Sequence, residues 1–238
     1  MCGRDTFKAT WREVRECARP LQVTTPHIDA EPAYNRAPTD IGHVIVASAD
    51  GGTILPMRWG LLPPWQKDPR LAYRTINARI ESCIDKPAFR AAWQHRRCLV
   101  PSSGYYEWQP AASGRQPWYI HTRDAPVMFL AGLWEARPDG AGGELLTYSV
   151  ITRGAAAAVS DIHDRMPQVL PAADFDRWLH GPVEAAMDLL RSAPEPDLAM
   201  HPVEAAVGNV RNQGAQLIEP IALPHPPLFG PSGLQRPG

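Results

Sequence analysis

The order of apolar and turn-forming segments in this 238-residue chain predicts an α+β fold: a curled antiparallel β-sheet, barrel-like at its core, with a few peripheral helices. The middle of the chain, from Cys98 to Thr152, is a succession of short apolar or β-branched runs bounded by Gly, Pro or Asp, as consecutive strands require. Helix signals are few and lie on either side of that region. The 26 prolines and 18 glycines mark many turns.

Taken in order, Thr10-Trp11-Arg12-Glu13 reads as a capping box opening a helix to about Ala18, with Pro20 ending it. Val23–Pro38, rich in proline and threonine, reads as a loop. His43–Ser48 and Thr53–Trp59 read as strands around the turn Ala49-Asp50-Gly51-Gly52. Leu61–Pro69 is a proline-rich, tryptophan-bearing loop. Pro87–His95 reads as a helix, with Pro87 in its first turn and Phe89 and Trp93 on one face. Strands follow at Cys98–Val100, Tyr105–Trp108, Trp118–His121, Val127–Trp134 and Leu145–Thr152. Asp174–His180 is a helix stopped by Gly181, and Val183–Arg191 is another. Residues 1–221 are read as one domain. Residues 222–238, dominated by Pro, Gly and Ser, are read as a disordered tail.

The net charge of −1 gives the whole molecule no nucleic-acid-like field, so any nucleic-acid site must be a local arginine cluster. Arginine outnumbers lysine, which suits bidentate phosphate contacts and is equally explained by genome composition. Cysteines stand at 2, 17, 83 and 98, without zinc spacing or a C-x-x-C pair. Cys17, Cys83 and Cys98 read as core or half-buried residues, and no metal or organic cofactor is implied. No apolar run is long enough to span a membrane, and the N-terminus lacks a signal peptide. The expectation is a reduced, cytoplasmic protein with no membrane partner.

Four segments can carry chemistry. Cys2 follows Met1, and loss of Met1 leaves an α-amine and a thiol on adjacent carbons, both with nucleophilic fractions near neutral pH. On this dipeptide alone, chance is the better explanation. In Thr75–Glu81, a strand puts Asn77, Arg79 and Glu81 on one side; that face is either a solvated edge, the commoner case, or a polar platform. In Gly104-Tyr105-Tyr106-Glu107-Trp108, Glu107 either points to water or is buried among aromatics, where its pKa rises and it can move protons. In Asp161–Pro167, His163 is a proton shuttle or a structural histidine, two residues from Arg165 and in a loop after a strand.

Together these segments resemble the SOS response-associated peptidase (SRAP) family. The resemblance rests on Met1-Cys2-Gly3-Arg4, Tyr34-Asn35-Arg36-Ala37-Pro38, Arg58–Trp65, Ile76–Glu81, Gly104–Trp108, Ile162–Pro167 and Val207–Gly214, in the family's order and spacing over residues 2–220. It implies a protein that recognises abasic sites in single-stranded DNA and attaches to them covalently through Cys2, as a monomer that is nucleoid-associated when bound to DNA. An amine alone forms an imine with the abasic aldehyde and invites strand cleavage. A 1,2-aminothiol closes the imine into a thiazolidine and leaves the strand intact, with an intramolecular advantage for the second attack.

By the same resemblance, Asn77 positions the Cys2 amine, Glu107 moves protons during imine formation, and His163 assists sugar ring opening. Arg79 and Arg165 contact phosphates, Thr152 contacts the DNA backbone, and Pro38, Pro64 and Trp65 form a wedge beside the lesion. Arg4, Asn35 and Arg36 lie in matching segments without a settled individual role, and Arg4 and Arg36 are counted with the DNA-binding set. Some relatives carry a second tryptophan where this chain has Gln66. The alternatives are a cysteine-type peptidase acting through Cys2, including removal of its own Met1, and a plain single-stranded-DNA binding module.

Overall fold

In the computed structural model, which describes residues 3–111 and 114–223, the strands sort into two sheets. They are β1 (Asp5–Phe7), β2 (Val23–Thr24), β3 (Ala33–Arg36), β4 (Ile41–Ser48), β5 (Gly51–Trp59), β6 (Asn77–Arg79) and β7 (Arg97–Ser102). The chain continues with β8 (Gly104–Ala111), β9 (Gly114–Thr122), β10 (Met128–Pro138), β11 (Glu144–Gly154), β12 (Arg165–Pro167) and β13 (Leu198–Pro202). The helices are α1 (Trp11–Ala18), α2 (Pro87–His95), α3 (Phe175–His180) and α4 (Val183–Ser192). The α+β class and the barrel-like core are as the sequence predicts.

The larger sheet runs β12-β11-β10-β7-β4-β5-β2. Parallel pairing of β11 with β5, Thr147 opposite Arg58 and Tyr148 opposite Trp59, closes β11-β10-β7-β4-β5 into a five-stranded mixed barrel. Strand β6 pairs with the next stretch of the same β11 edge, Asn77 opposite Val150 and Arg79 opposite Thr152. The smaller sheet, β13-β9-β8-β1-β3, is antiparallel. At its centre Gly104 is required: a Cβ there would stand 2.4 Å from the Tyr119 ring.

Strand alternation sends the barrel side chains to two cores. Ile45, Leu99, Leu133 and Ile151 meet Trp11 of α1, Trp93 of α2, Trp178 of α3 and Leu190 of α4. Their neighbours Val44, Val100, Tyr148 and Val150 instead meet Tyr105 and Ile120 of the smaller sheet and Ile162 of the loop before β12. Full burial of each such side chain contributes roughly 1.5–3 kcal/mol.

Thr10 caps α1 as expected, accepting from the Glu13 amide at 3.2 Å while the Glu13 carboxylate accepts from the Thr10 amide at 2.8 Å. Helix α2 spans the expected residues. Three expectations need correction. Val23–Pro38 is not all loop, because it holds β2 and β3, which at two and four residues are too short to show a period. The strand read through Glu81 ends at Arg79, where the chain turns and the Ser82 and Cys83 amides donate to the Arg79 carbonyl. Before α3, Ala172–Asp174 forms a 3-10 turn, and the α-helix starts at Phe175. Most of the tail, residues 224–238, lies outside the described residues.

Candidate functional site

Alternation along β8 decides where Glu107 points. Tyr106 and Trp108 join the apolar cluster of Tyr119, Val203 and Val207, whereas Tyr105 joins the barrel cluster with Val150 and Ile162. Glu107 is two residues from Tyr105 and shares its face, opposite Trp118 of β9. It is only 2% exposed. Burial pushes its carboxyl up to about 7, and the nearby Asp164 carboxylate pushes the same way. A group so tuned can give and take a proton at neutral pH.

Ile76, before Asn77, packs against that barrel cluster, and Ile162, before His163, lies within it. The Asp164 carboxylate, next to His163, is near enough to act on the Glu107 carboxyl. Asn77 is buried on β6. His163 Nδ1 accepts from the Arg165 amide at 2.9 Å, which leaves the proton of the neutral ring on Nε2. Asp164 Oδ1 also lies 2.9 Å from Nδ1 and takes over as partner when the ring is protonated. Partial burial lowers the His163 pKa, and Asp164 opposes that shift. The His163 loop is pinned to β8 because Gln109 Nε2 donates to the Asp161 carbonyl at 2.9 Å, while Gln109 Oε1 accepts from Trp118 Nε1 at 3.0 Å.

Arg165 sits at the start of β12. Its Nη1 and Nη2 donate to the two carboxylate oxygens of Glu81 at 2.6 and 2.9 Å, and Nη2 also donates to the Thr152 carbonyl at 2.8 Å. Thr152 itself is buried, and Arg79 is exposed. Trp65 is 60% exposed at the tip of its loop. Gln66 anchors that loop: its carbonyl accepts from Arg137 Nη1 of β10 at 2.5 Å. Pro38 is half-buried and Pro64 exposed.

Two arginines expected to bind DNA make structural contacts. Arg36 is buried against Asp5, with Nε to Oδ1 at 2.7 Å and Nη2 to Oδ2 at 2.5 Å, so no phosphate reaches it in this arrangement. Burial works against the Arg36 proton, and the Asp5 carboxylate outweighs it, so the net shift is upward. Arg4 Nη1 donates to Asn35 Oδ1 and to the Val207 carbonyl, both at 2.7 Å, and its guanidinium lies over the Trp108 ring. Asn35 Nδ2 in turn donates to the carbonyls of Val207, Asn209 and Asn212 at 3.2, 3.0 and 3.0 Å. Sequence reasoning missed this junction, although Arg4, Asn35 and 207–214 all lie in matching segments. It also missed the Glu81–Arg165 pair and the Gln109 clamp, which no spacing rule announces.

Cys2 and Met1 lie outside the described residues. Among the described residues no group of three His, Cys, Asp or Glu is placed to hold a metal ion, and no helix is long and apolar enough to cross a membrane.

The fold has known counterparts. A structure from Bacteroides thetaiotaomicron superposes with a TM-score of 0.77 at 22% identity, covering 93% of this chain and all of that one. A phage-related protein of Bordetella bronchiseptica superposes at 0.68 with 28% identity, over 85% and 94% of the two chains. In sequence, the abasic site processing protein YedK of Escherichia coli is 32% identical over 228 residues, 93% of this chain and all of YedK. YoqW of Bacillus subtilis, also named an abasic site processing protein, is 32% identical over 92% of this chain and 99% of its own length. The abasic site processing protein HMCES of Gallus gallus is 32% identical over 81% of this chain and 67% of its own. With residues 1–210 matching the family described as SOS response associated peptidase (SRAP), the chain belongs to that family.

Proposed function

We propose that this protein processes abasic sites in single-stranded DNA by forming a covalent, thiazolidine-linked DNA–protein crosslink through Cys2 once Met1 is removed. The observation that carries the reading is Glu107, a carboxyl buried to 2% exposure and poised at about 7, within reach of the Asp164 carboxylate of the His163 loop. The opened sugar presents a C1 aldehyde. The Cys2 amine attacks it, and the carbinolamine loses its hydroxyl as water after taking a proton from Glu107, giving the imine. The Cys2 sulfur then adds to the imine carbon, the nitrogen takes up a proton, and the five-membered ring closes. His163, with Nε2 carrying the proton of its neutral ring, delivers a proton to the ring oxygen as the C1–O bond breaks and the C1 hydroxyl gives up its own proton to solvent, which opens the sugar to the aldehyde.

The other thiols support assigning the sulfur to Cys2. Burial pushes Cys83 up to about 11, raises Cys98 well above its ordinary range and raises Cys17, so all three are poor nucleophiles at neutral pH. Arg79, Arg165 and Trp65 supply the strand-binding surface, with Thr152 holding Arg165 through its carbonyl.

The test is incubation with single-stranded DNA carrying one uracil-glycosylase-generated abasic site, followed by a denaturing gel. A retarded species that resists denaturation is expected for the wild type and is expected to be lost in Cys2→Ala. Its absence in the wild type overturns the reading. Intact-mass measurement of protein from a host without methionine aminopeptidase tests self-removal of Met1: a retained Met1 counts against the peptidase alternative.

A further inference from the structure

The guanidinium proposed to hold a phosphate is already holding a carboxylate. Glu81 takes both terminal nitrogens of Arg165 side by side, the geometry in which arginine takes a phosphate. The two ligands cannot share that edge. Glu81 is 55% exposed and sits in the turn after β6, outside any strand ladder, so its side chain is free to swing. It also borders a cavity of about 370 Å³ lined by Arg153 of β11, Gln168 and Arg191 of α4. Arg153 Nη1 is buried there with no hydrogen-bond partner among the described residues.

We propose that Glu81 is a displaceable latch: it occupies the Arg165 fork while no strand is bound, yields it to a DNA phosphate, and moves toward the Arg153/Arg191 cavity. The proposal rests on the single-stranded-DNA reading above and adds to it a residue that sets the threshold for strand capture. Hydrogen bonding to Arg165 lowers the Glu81 pKa, so the latch is charged throughout the neutral range. An incoming phosphate must therefore outcompete a carboxylate, which penalises a ligand offering one stray anion and favours a strand that also engages Arg79 and Trp65.

The experiment is a binding titration with a fluorescent single-stranded oligonucleotide that lacks an abasic site, so that no covalent product forms. Wild type, E81Q, R165M and the double variant are compared after circular dichroism shows each to be folded. The pair is partly exposed, so E81Q is expected to bind about two- to fivefold tighter than wild type. In the R165M background the same change is expected to have no effect, because there is no fork to release. Binding by E81Q that equals or falls below wild type overturns the latch and makes Glu81 a support for Arg165. Equal tightening in both backgrounds overturns it in favour of general charge repulsion. In both cases the crosslinking reading stands if the denaturing-gel species forms. If the wild type binds no single-stranded DNA and forms no crosslink, both readings fall.

Discussion

Gln109 on β8 donates to the carbonyl of Asp161, so the strand that carries Glu107 and the loop that carries His163 are joined by one hydrogen bond. The two side chains proposed to handle protons are thereby tied together although 56 residues separate them. Gln109→Leu keeps the side chain's bulk and removes the link. We expect a small loss of stability, about 1 kcal/mol for the hydrogen bonds, and a crosslinking rate reduced about tenfold through misplacement of His163. The check is a single-turnover time course beside a urea melt. An unchanged rate means that the loop needs no clamp.

Glu107 makes stability depend on pH in a direction opposite to that of most carboxylates. Its folded pKa, about 7, lies above the ordinary 4.5, so between those values the folded state binds a proton that the unfolded state has released. Stability contributed by this group is therefore complete below about pH 4.5, falls as pH rises toward 7 and is flat above. Glu107→Gln removes the decline and is expected to be more stable than wild type at pH 8 by about 3 kcal/mol, while losing the limb of the rate profile near pH 7. Urea melts at pH 5 and pH 8 measure the first effect. Identical pH dependence in wild type and variant contradicts the assignment.

The Asp5–Arg36 pair is buried on both sides, at 3% and 2% side-chain exposure. Arg36→Met leaves the Asp5 carboxylate stranded and is expected to destabilise the protein by about 3–5 kcal/mol. The double variant Asp5→Leu/Arg36→Met is expected to recover most of that, because no charge is left buried. Denaturation midpoints of the three proteins decide the matter. A single variant as stable as wild type contradicts the structural role.

Trp65 offers the reverse case, a large apolar ring at 60% exposure that the core does not need. Trp65→Ala is expected to weaken single-stranded-DNA binding about tenfold through lost base stacking and to leave the melting temperature within a degree or two of wild type. Fluorescence anisotropy and a thermal melt separate the two effects. Undiminished binding removes Trp65 from the interface.

The long strands were legible because their periods extend over many residues: β4, β5, β10 and β11 hold eight or more each; helix α1 was legible from its capping box and α2 from the proline in its first turn. Strands β1, β3, β12 and β13 were not, since three to five residues give no period to read, and pairing partners distant in sequence create them. The site was legible as residue types in matching segments but not as geometry. Alternation along β8 allowed Glu107 to face water, and only the three-dimensional packing shows both faces of the strand buried, Tyr106 with Tyr119 and Val203 and Glu107 on the side of Tyr105. Arg36 and Arg165 look alike in sequence. One has a carboxylate buried with it, and the other meets a carboxylate near the surface.

Asn35 makes one nitrogen answerable for a whole segment. Its two amide hydrogens are shared among the carbonyls of Val207, Asn209 and Asn212, while its oxygen receives Arg4. Deamidation, the ordinary chemical ageing of asparagine, would replace that nitrogen with a second oxygen. The bond to Arg4 would strengthen into an ion pair, and the three carbonyls would face a negative charge. An aged molecule therefore keeps Arg4 on residue 35 and on the Val207 and Gly208 carbonyls and loses the amide's own bonds at 209 and 212, so wear at this position is asymmetric.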